Sequence, residues 1–374
     1  LKLRRVIAIS ELIGLDKAAR VAQHDTATEA AVEGQMNKDQ LWDVICAADR
    51  LLGVVLNLSP ITSSYQMATT YAVTIDGIVQ NQVYLYRLTD IANKIQALDQ
   101  LSTSNSFSTE SYTFSLEISR DLKTLASQTP ETWWSQGVHD GANSVYPDHI
   151  VQFLHYYIAM RIHLPMALRQ GPDNETLFSC LACINACESI VQRYQLLSRR
   201  LPPGLFLSGM LDLQAFSAAV TLLLISHMIS TRSLDVGVDK VKISNKVEQV
   251  IKLLHEKSDS PPSPGFAYDG FTALCSLHDL LRGADDSLDP RQIAFHAPLL
   301  GKVQVKRNEN PPQGESYWSS ELLSALGFCS ASEQLAFHSL NRNQFSSGEP
   351  SFDTENAQCD RTTYLAEGIF GNLF

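Results

Sequence analysis

The sequence predicts an all-α protein, a large multi-helix domain followed by a weakly ordered C-terminal tail. Apolar residues recur at three- and four-residue spacing through most of the first 280 positions, and clear runs of β-type alternation are absent. The helical segments are separated by Gly, Pro or Ser/Asn clusters, the residues that break or cap helices. Two parts are expected: an all-helical domain over residues 1–283 and a polar, partly disordered tail over residues 284–374.

Taken in order, Leu3–Ile13 reads as a short helix closed by Gly14. A polar Ala/Thr-rich connector over Gln23–Gln35 leads into Asn37–Thr62, which reads as a single helix. Asn81–Leu101 carries the cleanest apolar stripe, with Tyr84, Leu88, Ile91, Ile95 and Leu98 on one face. Ser102–Ser108 is a loop, and Phe114, Ile118, Leu122 and Leu125 mark the next helix. Trp133 and Trp134 sit in a turn-rich connection, where two large rings are expected to cap the core. Asp148 can cap a helix over Ile150–Leu168, bent or stopped near Pro165. Asp173 or Asn174 can cap Glu175–Arg200. Leu211–Ser230 follows as a buried helix, then a shorter one around Val247–Leu254, a linker at Ser258–Gly265, and a helix at Phe271–Leu281. The most apolar window, Ala215–Ile229, contains Ser217, Ser226 and His227 and falls short of the ~20 apolar residues of a membrane span. It is expected to be a core helix, with no membrane partner.

Asn37–Thr62 is the stretch around which the chain is organised. Asn37 and Gln40 have capping-box spacing. Ile45, Ala48, Leu52 and Val55 form one apolar stripe, and Trp42, Cys46, Asp49, Gly53 and Leu56 a neighbouring one. Asp49 therefore faces a mostly apolar surface, where an unpaired carboxylate is costly. Arg50 is about 100° round the helix and badly aimed at it, so Asp49 is expected to bond to another helix or a loop. Gly53 costs about 1 kcal/mol of helix propensity relative to Ala, which the close approach of a second backbone would explain. A catalytic Asp49 is the sharper alternative.

A net charge of −11 excludes this chain as the main contact with DNA or an anionic membrane, since phosphate neutralisation needs clustered Lys and Arg. Seven scattered cysteines suit reduced thiols in an intracellular protein better than a disulfide framework. Cys180, Cys183 and Cys187 share one helix face among apolar residues, and buried small hydrophobes are expected rather than metal ligands. Asp285, Asp286 and Asp289 spell D-D-x-x-D, the spacing of the magnesium-binding aspartates of terpene and prenyl synthases. Their setting, after Arg282-Gly283 and before Pro290, favours a solvated acidic turn, and a helical magnesium-dependent synthase stays as the alternative function. The histidines, His155 and His163 among them, form no H-E-x-x-H pair, and no nucleophile elbow, P-loop or dinucleotide fingerprint is present. No catalytic or metal site is assigned, and a non-enzyme is expected.

Leu41-Trp42, Ala48-Asp49-Arg50-Leu51-Leu52 and Leu56–Ile61 (LNLSPI) resemble the middle homology region of fungal zinc-cluster (Zn2Cys6) transcription factors. Leu12-Ile13-Gly14-Leu15 upstream, Tyr156-Tyr157 with Ile162-His163-Leu164-Pro165 downstream, and the Cys180–Ile190 helix agree in order and spacing. Departures occur at Asp39-Gln40, Leu58-Ser59-Pro60 and Leu164, where the family has a basic pair, a Gly-Arg-Pro turn and an arginine. The resemblance spans about Leu3–Ser230. It implies an all-helical regulatory domain of a nuclear transcription factor, with Trp42, Asp49, Arg50, Gly53 and Pro60 as its structural hub. Zinc and DNA contact are expected only from an N-terminal cluster outside this chain, which begins at Leu1 inside an amphipathic pattern and reads as a piece of a longer protein. A homodimer or co-regulator and a small-molecule effector are the expected partners. Phe352, Tyr364, Phe370 and Phe374, interspersed with acidic residues, have the composition of an activation segment.

Overall fold

A computed structural model describes residues 2–17, 38–65, 67, 71–103, 109–135, 147–169, 174–201, 206–231, 237–259, 265–282, 292–297 and 300–306. The elements run α1 (Lys2–Leu12), α2 (Lys38–Leu56), β1 (Thr74–Ile75), β2 (Ile78–Val79), α3 (Asn81–Thr103), α4 (Thr109–Ala126) and α5 (Glu131–Trp134). They continue with α6 (Pro147–Ala167), α7 (Asn174–Ser198), α8 (Phe206–Thr231), α9 (Lys240–Ser258), α10 (Gly265–Arg282), β3 (Gln292–Ala297) and β4 (Gly301–Lys306). The all-α class holds: helices carry the core and the strands form two small hairpins.

The most extensive packing joins α6 to α7 and α7 to α8, with α9 and α10 closing over α8 and α3 pairing with both α2 and α4. The predicted stripe on α3, from Tyr84 to Leu98, is buried in the main core, as are Ile118, Leu122 and Leu125 of α4. Helix α8 is buried nearly all round, from Leu211 to Ile225, because helices cover it on several sides. By length and composition it could cross a membrane, but most of it lies inside the protein. Gly14, at φ 77, closes the turn after α1, where its amide bonds to the Glu11 carbonyl.

Several local readings are corrected. The central helix stops at Leu56 rather than Thr62, because Asn57 adopts the left-handed conformation (φ 53) and Pro60 cannot continue a helix. Its buried surface is not two adjoining stripes, since every residue from Trp42 to Leu51 is buried. Val44, Ala48 and Leu51 enter the main core, whereas Trp42, Ile45, Cys46 and Ala47 join Ile7 and Leu15 of the N-terminal segment in a second cluster. Leu56, counted with the apolar stripe, is exposed. Asp148 lies inside the first turn of α6, where it accepts from Asn81 Nδ2 at 2.6 Å, and Pro147 opens the helix. Helix α3 runs to Thr103, and α10 begins at Gly265, six residues before the expected start.

The hairpins escaped the helical reading. Asp76 (φ 51) and Gly77 (φ 79) form a two-residue loop between the paired Ile75 and Ile78, the combination favoured by a type I′ turn. Further on, β3 and β4 pair from Gln292↔Lys306 to Ala297↔Gly301. Ala297, Val303 and Val305 are buried while Gln292, Ala294, His296 and Lys302 are exposed. Phe295 packs on Phe216 of α8, ring centroids 6.1 Å apart. This part of the expected tail is thus an ordered hairpin seated on the helices.

Candidate functional site

Two buried polar assemblies stand out, one at the C-terminal half of α2 and one where α3, α5, α6 and α7 meet. In the first, Asp49 and Arg50 are adjacent in sequence yet turn to different partners. Asp49 is 7% exposed, and its Oδ2 accepts from Thr62 N (2.9 Å) and Thr62 Oγ1 (3.0 Å). Arg50, 1% exposed, forms an ion pair with Asp90 of α3 and donates to the carbonyls of Thr62 (3.2 Å) and Tyr65. The two side chains together pin the 57–65 loop against α2 and α3. That loop returns close to the helix: the Leu58 amide bonds to the Gly53 carbonyl at 2.8 Å. A Cβ on Gly53 would stand 2.8 Å from Leu58 O and 3.4 Å from Pro60 Cδ, so only glycine admits this approach. Trp42, 3% exposed, meets Tyr65 edge-on at 5.9 Å. Arg161 of α6 adds a further tie, reaching Asp99 Oδ2 (2.8 Å) and Asn57 Oδ1 (3.3 Å).

The five residues predicted as a hub are therefore brought together. Sequence reasoning missed Thr62, Asp90 and Tyr65 as partners, since long-range pairing leaves no trace in local spacing. The one reactive group nearby is subdued: burial pushes the Cys46 thiol up to about 12. A cleft of about 330 Å³ lies between α3 and α4, with Asp90 on its wall. Its charged groups are matched within the chain, Lys94 to Asp121 at 2.6 Å, Asp90 to Arg50, and Arg87 to Gln128 Oε1 at 2.9 Å.

The second assembly is aromatic. Trp133 and Trp134 are half-buried and pack against the core as expected. They cluster with Tyr84, His155 and Tyr156, with ring centroids 4.7 Å apart for Trp133–Trp134, 4.8 Å for Trp134–His155 and 5.1 Å for Tyr84–Trp133. His155 Nδ1 is 2.8 Å from Tyr84 Oη. Arg193 of α7 is 3% exposed and lies over the Tyr156 ring at 4.4 Å. Its Nε donates to Gln152 Oε1 at 3.0 Å, and Gln152 Nε2 donates to the Trp133 carbonyl at 2.5 Å. Burial pulls the Arg193 pKa below its ordinary value, against the influence of Tyr156. His155 is held down to about 3 by burial and by the charge of Arg193.

The remaining predicted residues do not converge on a site. Cys180, Cys183 and Cys187 are free and buried, with Cys180 Sγ 3.2 Å from the Ala167 carbonyl and Cys183 Sγ 3.5 Å from that of Met160. Burial raises the pKa of Cys183 and Cys187, and no metal-holding cluster occurs among the described residues. His163 approaches Ser119 at 3.3 Å. Asp285, Asp286 and Asp289, the capping residue Asn37, and Phe352, Tyr364, Phe370 and Phe374 lie outside the described residues.

Two curated fungal proteins are similar to the chain. One, the dehydrocurvularin biosynthesis regulator of Alternaria cinerariae, is 26% identical over 267 residues, covering 68% of this chain and 33% of its own length. The other, transcription factor sdnS of Sordaria araneosa, is 21% identical over 332 residues, covering 84% of this chain and 42% of its own length. The chain thus spans about a third to two-fifths of the relatives it matches. No family model matches the chain, and no solved structure matches it.

Proposed function

We propose that this chain is the regulatory domain of a fungal zinc-cluster type transcription factor, equivalent to the middle homology region, and that it controls transcription by RNA polymerase II in the nucleus. The observation that carries the reading is the similarity of two fungal regulators over most of the chain, 68% and 84% of it. The geometry supports it, because the most elaborate polar assembly binds the chain's own loop and helices. DNA contact and zinc belong to a module outside these residues, with no cofactor held by this chain. The helical part, 1–283, with the β3–β4 hairpin seated on it, supplies the packed domain, and the rest of 284–374 a tail whose Phe352–Phe374 segment contacts co-regulators. Homodimerisation and control by a small effector complete the reading.

A reporter assay tests it. The chain fused to a heterologous DNA-binding domain is expected to change reporter output several-fold in a fungal host, and disruption of its gene to change the transcript levels of a defined gene set. Unchanged output together with an unchanged transcript profile would end the proposal.

A further inference from the structure

Arg193 is a buried cation with no carboxylate within ion-pair distance among the described residues. Its acceptors are all neutral, the Gln152 amide, the Tyr156 hydroxyl and two backbone carbonyls, and the carbonyls of Ser189 and Trp134 are at the far limit of a hydrogen bond, both at 3.4 Å. A guanidinium carries five N–H donors in a planar fork that suits a carboxylate. A buried charge without a counter-charge is expensive, and such charges mark sites where a partner is supplied from elsewhere. One donor in the same cluster is unmet: Trp133 Nε1 is buried and has no acceptor among the described residues. Around these donors stand flat faces, with Trp134 and Tyr156 half-buried and 5.7 Å apart.

We infer that this cluster is a binding site for a small aromatic carboxylic acid, its carboxylate on Arg193 and its ring against Trp134 and Tyr156. The inference rests on the regulatory reading above, of which it would be the effector site. It draws on chemistry the α2 assembly and the α3/α4 cleft lack, since Arg50 and Lys94 there each have a carboxylate of this chain, whereas Arg193 has none among the described residues. The acid would replace the two long carbonyl contacts of Arg193 with a short bidentate pair and seat an aromatic ring among aromatic rings.

The experiment uses the purified 374-residue chain and benzoate as the probe, read by tryptophan fluorescence and thermal unfolding, with benzamide and sodium sulfate as controls. Benzoate is expected to give a saturable fluorescence change, half-complete at about millimolar concentration or below, together with a rise in Tm. Benzamide, equal in shape but uncharged, should give neither. Arg193→Met, and Gln152→Glu, which keeps the arginine but supplies a rival carboxylate, should each raise the half-saturating concentration at least about tenfold. Near-UV circular dichroism checks that each variant is folded, and if Arg193→Met does not fold, Gln152→Glu decides. Absence of a saturable benzoate response, equal responses in the wild type and Gln152→Glu, or an equal response to sulfate would overturn the assignment. Because no transcription is measured, benzoate binding by a chain inactive in the reporter assay would sink the regulatory reading alone. The reverse result would sink the binding site alone.

Discussion

Arg50 and Arg193 are both buried arginines on core helices, but they are neutralised in different ways. Arg50 has Asp90 and two loop carbonyls, so its charge serves to close the 57–65 loop on α2 and α3. Arg193 has an amide, a tyrosine hydroxyl, two distant carbonyls and an aromatic face. Removing one member of an ion pair leaves a charge behind, whereas removing a buried charge held only by neutral groups leaves no charge behind and costs only its hydrogen bonds. The contrast separates a charge used for architecture from one left available.

The largest expected difference follows directly. Arg50→Met should destabilise the protein by about 2 kcal/mol, chiefly because it unpairs the two loop carbonyls, while Asp90, a third exposed, turns to water. Arg193→Met should cost less, about 1 kcal/mol or below, because the methionine keeps much of the stem packing and removes a desolvated charge, which offsets the loss of the donor to Gln152 Oε1. Urea unfolding of both variants measures this. A comparable loss in each would show that neutral acceptors and the Tyr156 ring neutralise Arg193 as well as Asp90 does Arg50.

Acid should test the second assembly next. Burial and the charge of Arg193 hold the His155 pKa down to about 3, and burial holds that of His163 down to about 4, against an ordinary value of 6.5. With folded values depressed, the unfolded chain takes up protons first, so stability is fully present above about pH 6.5 and falls as the pH drops. By pH 5 each histidine should withdraw roughly 2 kcal/mol. In His155→Gln, whatever its stability at pH 8, the loss between pH 7 and pH 5 should shrink by about that share. An unaltered pH dependence would mean that His155 is not held neutral beside Arg193.

What was legible in the sequence follows from which forces are local. The α3 stripe and the Gly14 stop were readable because helical periodicity and helix closure act within a few residues. Asp49 and Gly53 were legible as anomalies, a carboxylate and a glycine in a buried helix, and their partners proved to be Thr62 and Leu58. Arg193 gave no such signal: in α7 it sits among Ile190, Val191 and Tyr194, where long polar side chains can still reach solvent. Only the arrival of Trp134, Gln152 and Tyr156 from other elements buries it. The β3–β4 hairpin was missed because Gln292–Ala297 and Gly301–Lys306 alternate over only six residues each, inside a stretch of polar composition.

Around Arg50 the neighbouring residues should follow the architectural rule with smaller effects. Asp49→Ala should lower stability by about 2 kcal/mol, because it leaves the buried Thr62 amide and hydroxyl without an acceptor, and it should abolish no chemical step. Gly53→Ala should gain about 1 kcal/mol from helix propensity but lose more through the 2.8 Å contact with Leu58 O, for a net loss of about 1 kcal/mol. Thermal unfolding distinguishes the outcomes. A stabilised Gly53→Ala would show that the loop has room to retreat and that the assembly is less tightly closed than its distances indicate.

The smallest effect on stability should come from making the second arginine resemble the first. Gln152→Glu places a carboxylate where an amide oxygen now accepts from Arg193 Nε at 3.0 Å. The new ion pair is favourable, but the glutamate must be desolvated and the amide donor to the Trp133 carbonyl is lost. These terms oppose each other, and the net change should lie within about 1 kcal/mol of zero by urea unfolding. Its signature is elsewhere: with a carboxylate now facing Arg193, the positive field on His155 weakens, so its titration by NMR should move upward from the wild-type value. An unmoved His155 would mean that burial alone, rather than an unmatched guanidinium, keeps that ring neutral.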